Sequence, residues 1–191
     1  MPLTITTLGE FRLLRDDEEL SPAAWKNQKN RHLCQLLLTH RRNPPHREQL
    51  LEWLWPGLPP ASADRSLRVA ISQLRRALEP DLPPRADSAF LLITPSGYAW
   101  NPHADYTLDA DRFDHLCSEF AVNPTGDDPY SRLALGEEAK ALYRGDFLAE
   151  EAYTDWASAE WERLRETNFA LLNRRGRYYN LYTMQWAAET G

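Results

Sequence analysis

Arg65, Arg68 and Arg76 are spaced so that, at about 100° per residue, a helix brings them to one side together with Val69 and Ser72. A guanidinium presents two parallel N–H donors, which match the O6 and N7 acceptors of guanine in the major groove of DNA. A valine there offers methyl contact to thymine C5, and a serine hydroxyl can bond either kind of base edge. These five are the candidate base-reading residues. The stretch from Leu67 to Pro80, LRVAISQLRRALEP, turns Leu67, Ala70, Ile71, Leu74 and Leu78 to the opposite side, where a core would take them. Taken alone, an arginine-bearing outer face is also the ordinary solvated face of an amphipathic helix, and Val69 an ordinary exposed valine. The flanking elements decide between these readings.

Lys26, Lys29, Arg31, Arg47 and Arg75 suit phosphate contacts, which set register on double-stranded DNA and make binding fall with salt without carrying sequence information. Thr94 and Ser96, at the tip of a short hairpin, add hydroxyls of the same use. That tip holds no arginine for the minor groove, so backbone contacts are expected there rather than base reading.

The elements that must position these residues can be read in order. Leu3 and Ile5, then Phe11 and Leu13, alternate with polar residues around Gly9-Glu10 and predict a hairpin, with a short third strand near Glu19-Leu20. A helix is expected from about Lys26 to His40, with Leu33, Leu36 and Leu37 inward. The next runs from Arg47 to Trp55 behind His46, a weak N-cap for which Gln49 can supply the returning half of a capping box. After a loop from Pro56 to Ala63 comes the arginine helix, stopped by Pro80. A linker through Pro83-Pro84 and Asp87-Ser88 leads to strands Phe90–Ile93 and Tyr98–Trp100 around Pro95-Ser96-Gly97. Two helices followed by a strand pair is the order of a helix-turn-helix with a wing.

The formal charge of −6 over 191 residues hides an asymmetry. Residues 1–102 carry 13 Lys and Arg against 11 Asp and Glu, net +2, whereas residues 103–191 carry 9 against 17, net −8. Two domains are expected with that boundary: an α+β winged helix-turn-helix domain, 1–102, and an all-α, tetratricopeptide-like helical domain, 103–191. The second shows helical periodicity from Phe113, Leu116, Cys117 and Phe120 after an aspartate-rich start at Asp109–Asp111. Another helix opens at Asp128-Pro129 and stops near Gly145. A long last helix begins near Asp155, with Trp161, Leu164, Leu171, Tyr178, Tyr179 and Tyr182 turned inward. No self-similarity at a period of about 34 residues stands out. Ala187–Gly191 reads as the turn after a hairpin's first helix, which suggests a domain truncated at its C-terminus.

Other chemistries find little support. Cys34 and Cys117 sit in apolar helical patterns and read as buried thiols of a reducing compartment. No apolar run approaches a membrane span and no basic-then-apolar leader opens the chain, so a cytoplasmic protein with no membrane partner is expected. His103, Asp105, Asp109, Asp111, Asp114 and His115 have no recognised metal spacing, and aspartates before a helix ordinarily cap it. No phosphate-binding glycine loop or nucleophile motif is present, so neither catalysis nor a cofactor or metal is expected. The serious alternative is a protein-interaction scaffold, favoured by the overall negative charge. The arginines disfavour it, because a protein-docking face more naturally shows aromatic or aliphatic anchors.

Several stretches resemble the SARP-type bacterial transcriptional activators, in which a winged helix of the OmpR/PhoB class precedes a bacterial transcriptional activator domain. In the first half they are Leu8-Gly9-Glu10-Phe11, Arg47-Glu48-Gln49-Leu50 through Leu54-Trp55-Pro56, the helix LRVAISQLRRALEP, and Gly97-Tyr98. In the second they are Leu108-Asp109-Ala110-Asp111-Arg112-Phe113, Tyr143-Arg144-Gly145-Asp146-Phe147-Leu148, and WASAEWERLR from Trp156 to Arg165. The resemblance implies that the arginine helix is the recognition helix and that the helix of Arg47 supports it. It also implies a homodimer, at least on DNA, bound head to tail on promoter direct repeats. RNA polymerase holoenzyme is the further partner implied, met by the loop Pro56, Gly57, Leu58 and Pro59. The acidic second domain would repel DNA and suits a protein surface.

Overall fold

The computed structural model of the chain describes residues 2–83, 85–122, 129–151 and 154–190, with the side chains of 129, 130, 178 and 180–190 outside that description. In chain order the elements are β1 Leu3–Thr6, β2 Arg12–Arg15, β3 Glu18–Glu19, α1 Gln28–Thr39, α2 Arg47–Leu54, α3 Pro60–Leu78, β4 Leu91–Thr94, β5 Gly97–Trp100, β6 Tyr106–Leu108, α4 Asp109–Ala121, α5 Pro129–Leu142, a 3-10 turn Ala149–Glu151, and α6 Asp155–Thr190. One sheet has the order β3-β2-β1-β6, and β4 pairs with β5 alone. The backbone falls into two units, neither a single run of sequence: Met1–Thr4 with Arg12–Tyr106, and Ile5–Phe11 with Thr107–Gly191.

In the first unit, Asp16 and Asp17, both at positive φ, turn β2 into β3 with Arg15 opposite Glu18. Asn27 caps α1, its Oδ1 accepting the Asn30 N–H at 3.0 Å. Lys26 stands before the cap at φ +64°, so the helix opens later than its residue pattern suggests. Leu33, Leu36 and Leu37 are buried as expected, along with Cys34 and Leu38. The weak cap of α2 is completed from within, because Gln49 Oε1 accepts the His46 N–H at 2.8 Å.

The arginine helix α3 starts at Pro60, ahead of the expected start beyond Ala63. Proline fits the first helical position, where its missing N–H has no intrahelical acceptor to lose. Leu67, Ala70, Ile71, Leu74 and Leu78 are all buried, joined by Ala63 and Ala77. Each buried leucine contributes roughly 1.5–3 kcal/mol through surface removed from water, so this stripe anchors the helix against α1 and α2. The stretch after α3 is pinned rather than slack. Ser88 is buried, its hydroxyl donating to Glu79 and accepting the N–H groups of Phe90 and Leu91 at 3.2 and 3.1 Å. The wing pairs Leu91 with Trp100 and Thr94 with Gly97 about a turn at Pro95-Ser96.

Beyond Pro102 the chain is not helical at once, since Tyr106–Leu108 forms β6. In the second unit α4, α5 and α6 pack on one another. Phe113, Leu116, Phe120, Ala139, Trp156, Leu164 and Leu171 are buried. Gly136 lets the helices close up, for a Cβ there would meet both Phe120 and Arg175 at 3.2 Å. The segment Ile5–Phe11 belongs to this unit through specific bonds. Asp109 accepts the Thr7 N–H at 2.7 Å, the Thr7 hydroxyl at 2.8 Å and the Leu8 N–H at 3.0 Å. Gly9 exchanges backbone bonds with Asp146 and Ala149, and a Cβ on Gly145 would meet Gly9 Cα at 3.2 Å. The Leu8–Phe11 and Tyr143–Leu148 stretches, far apart in sequence, are therefore one piece of structure.

Two expectations for the last helix change. Tyr179 is exposed rather than turned inward, because its hydroxyl donates to the Glu137 carboxylate at 2.7 Å; the side chains of Tyr178 and Tyr182 lie outside the described residues. The helix also continues through Ala187 to Thr190, where a turn was expected. Asp128, expected to open α5, lies outside the described residues, as does Pro84.

Candidate nucleic-acid interface

The buried stripe of α3 dictates what its other side presents. Arg65, Arg68, Val69, Ser72 and Arg76 are all exposed, Val69 to 51 %. Among the described residues neither Arg65 nor Arg76 has a hydrogen-bond or ion-pair partner. Lys29 on α1 comes beside Arg65, lining with Asn27, Trp55, Arg65, Val69 and Gln73 a cleft of about 340 Å³. Gln73 is held there, its Oε1 accepting from Asn30 Nδ2 at 2.8 Å.

Not every candidate joins this face. Arg75 is half-buried, and its guanidinium donates to the Ala86 carbonyl, so it ties the end of α3 to the following loop. Lys26 is exposed in the turn before α1, and Arg31 is half-buried one turn before Cys34. Thr94 and Ser96 bond each other through their hydroxyls at 3.1 Å. The loop Pro56–Pro59 is exposed throughout, Gly57 takes φ +80°, and Leu58 is 45 % exposed.

Arg47 has a role that its position in the sequence does not announce. Its backbone N–H, an orphan donor of the first turn of α2, is accepted by Ser96 O at 2.8 Å. Gly97 makes that approach possible at φ +146°, where a Cβ would stand 3.2–3.3 Å from the Arg47 backbone. The Arg47 guanidinium meets Asp64 of α3, with Nε 2.7 Å from Oδ1. Asp64 also accepts from Arg68, whose Nη2 lies 2.7 Å from Oδ2. The hydrogen bond from Arg47 is the main force holding the Asp64 carboxyl below its ordinary range, and the same bond raises the Arg47 guanidinium. Asp64 is the residue that sequence reasoning missed. Its i, i+4 spacing to Arg68 is a readable signal, whereas its pairing with Arg47 is tertiary.

Residues 23–100 match the family model described as "Transcriptional regulatory protein, C terminal", and residues 108–182 match the "Bacterial transcriptional activator domain". The chain belongs to the SARP-type transcriptional activators. It is 30% identical over 173 residues to the regulatory protein AfsR of Streptomyces coelicolor, covering 91% of this chain and 16% of that protein. In fold it is similar to Mycobacterium tuberculosis EmbR, solved in complex with a low-affinity phosphopeptide, with a TM-score of 0.70, 20% identity, and coverage of 92% of this chain and 45% of that one. The chain thus spans less than half the length of either relative.

In this SARP-type chain three of the histidines and aspartates considered as metal ligands have other engagements. Asp109 holds Thr7 and Leu8, Asp114 receives the Arg163 fork at 2.9 Å on both oxygens, and His115 lies 3.6 Å from Glu119. Both thiols are free, and burial is the main cause that raises each, Cys117 to about 12. Among the described residues no helix is long and apolar enough to cross a membrane.

Proposed function

We propose that this chain is a sequence-specific DNA-binding transcriptional activator. The observation that carries the reading is α3, whose apolar side is buried while the opposite side offers Arg65, Arg68, Val69, Ser72 and Arg76 to a partner. In this reading Arg65, Arg68 and Arg76 bond guanine edges, Val69 meets a thymine methyl and Ser72 a base edge. Each good pair discriminates by about 1–3 kcal/mol. Lys26, Lys29, Arg31, Arg47, Thr94 and Ser96 take phosphates, and two copies of the chain occupy direct repeats. The exposed loop Pro56–Pro59 and the acidic domain of residues 103–191 meet RNA polymerase. Membership of the SARP type supports the reading.

Selection from a random duplex pool at physiological salt tests it. Tandem copies of one motif about one helical turn apart are expected, bound roughly 10³-fold or more tightly than scrambled DNA. Arg68→Glu with Arg76→Glu is expected to abolish that preference in a folded protein. No enrichment, or promoter binding that survives the double variant, favours the scaffold reading, in which both domains dock protein.

A further inference from the structure

The geometry points to Asp64 as a positioning residue that sets the sequence specificity of α3 without touching a base. This inference rests on the DNA-binding reading above. Asp64 lies one turn before Arg68, and its side chain is only 15 % exposed while that of Arg68 is 71 % exposed. An arginine on an open helix face ordinarily samples many rotamers, and ordering it on DNA costs entropy. Here Arg68 Nη2 is held on Asp64 Oδ2 at 2.7 Å before any partner arrives, which leaves its remaining N–H groups in one orientation. Bidentate reading of guanine needs such an orientation, since the fork must lie in the plane of the base.

The other carboxylate oxygen holds Arg47 through Nε at 2.7 Å and a second contact from Nη2. Arg47 in turn carries the wing, through its N–H bond to Ser96 O at 2.8 Å and its contact with Gly97. One carboxylate therefore registers three pieces of the interface: the start of α2, the wing turn and the reading face of α3. It has an electrostatic effect as well. Two guanidinium groups around one carboxylate present less positive charge to a phosphate backbone than two unaccompanied ones, so Asp64 restrains binding to DNA of any sequence. Hydrogen bonding from Arg47 favours its ionised form, so this restraint persists at neutral pH.

Asp64→Asn, which keeps the shape, and Asp64→Ala separate the role from a merely structural one. Affinity for the selected duplex and for scrambled duplex is measured across a salt series, alongside thermal melting. Scrambled DNA is expected to bind roughly three- to tenfold more tightly at low salt, with a slope of log K against log salt steeper by about 0.9. The specificity ratio is expected to fall at least about tenfold. A folded Asp64→Asn protein with the wild-type ratio and slope overturns the inference. Should both variants fail to fold, Arg68→Lys decides, because an ammonium on a flexible stem cannot hold the fork orientation. An unchanged ratio in that variant overturns the inference equally. If the wild type enriches no sequence, the DNA-binding reading fails and this inference falls with it; if it enriches one and the variants match it, only this inference falls.

Discussion

The two units use arginine in opposite ways. On α3 the guanidinium groups of Arg65 and Arg76 point to solvent, and Arg47 and Arg68 share the single carboxylate of Asp64. In the second unit Arg163 bonds Asp114 through both Nη atoms at 2.9 Å and Glu160 through Nε at 2.7 Å. Arg175 meets Glu137, and Arg112 meets Glu138. The difference teaches that local carboxylate supply, more than the number of arginines, decides whether a helix face is left open to an anion. Residues 103–191 hold 17 acidic against 9 basic residues, and among the described residues Arg112, Arg163 and Arg175 pair with carboxylates of their own unit. Residues 1–102 do not concentrate acid where α3 faces out.

That contrast can be broken at four points. Asp109→Ala should have the largest effect, because it removes the acceptor of the Thr7 and Leu8 N–H groups and the Thr7 hydroxyl inside the second unit. At about 1–3 kcal/mol for each buried donor left unsatisfied, a loss of roughly 4 kcal/mol is expected. Urea unfolding followed by tryptophan fluorescence measures it, and a loss under about 1 kcal/mol would show that segment 5–11 is not held this way. Arg163→Ala follows, at about 2 kcal/mol, since the largely covered carboxylates of Asp114 and Glu160 both lose the Arg163 guanidinium, while partial exposure moderates the cost. Its affinity for DNA should not change. A tenfold loss of DNA binding by a folded Arg163→Ala protein would erase the division of roles drawn here.

On the open face the signs reverse. Arg65→Ala should leave stability within about 0.5 kcal/mol and lower discrimination at one base position by about 1–3 kcal/mol, read by repeating the selection with the variant. A melting temperature lowered by several degrees with an unchanged motif would instead make Arg65 structural. Smallest is Lys29→Ala, expected to weaken binding to all sequences alike and to flatten the salt slope by about 0.9. A change confined to one base position would move Lys29 among the base readers.

Much of the first unit was legible because its signals are local. The stripe from Leu67 to Leu78 repeats at helical spacing, as do Leu33, Leu36 and Leu37, and Gly97 follows a Pro-Ser turn, so each element reports itself within a few residues. What misled was equally specific. Pro60 looked like loop yet occupies the first turn of α3, since proline both breaks and begins helices. Tyr179 fitted an inward stripe but turns outward to Glu137, a carboxylate on another helix. Arg75 counted as one more surface cation until the fold brought the Ala86 carbonyl to it.

The amphipathic division of α3 therefore belongs to the sequence alone, because hydrophobic periodicity sorts faces before any packing occurs. So do the order of a helix-turn-helix with its wing, the charge asymmetry between the halves, and the motifs of the SARP type. The tertiary structure decided which cations remain available. It placed Asp64 between Arg47 and Arg68, carried Arg75 to a carbonyl, set Ser96 against the first turn of α2, and assigned Leu8–Phe11 to the unit built from residues beyond 106. The physical reason is range. A helix face depends on residues three and four apart, whereas an ion pair or a borrowed carbonyl depends on which distant segment the buried core brings within about 3 Å.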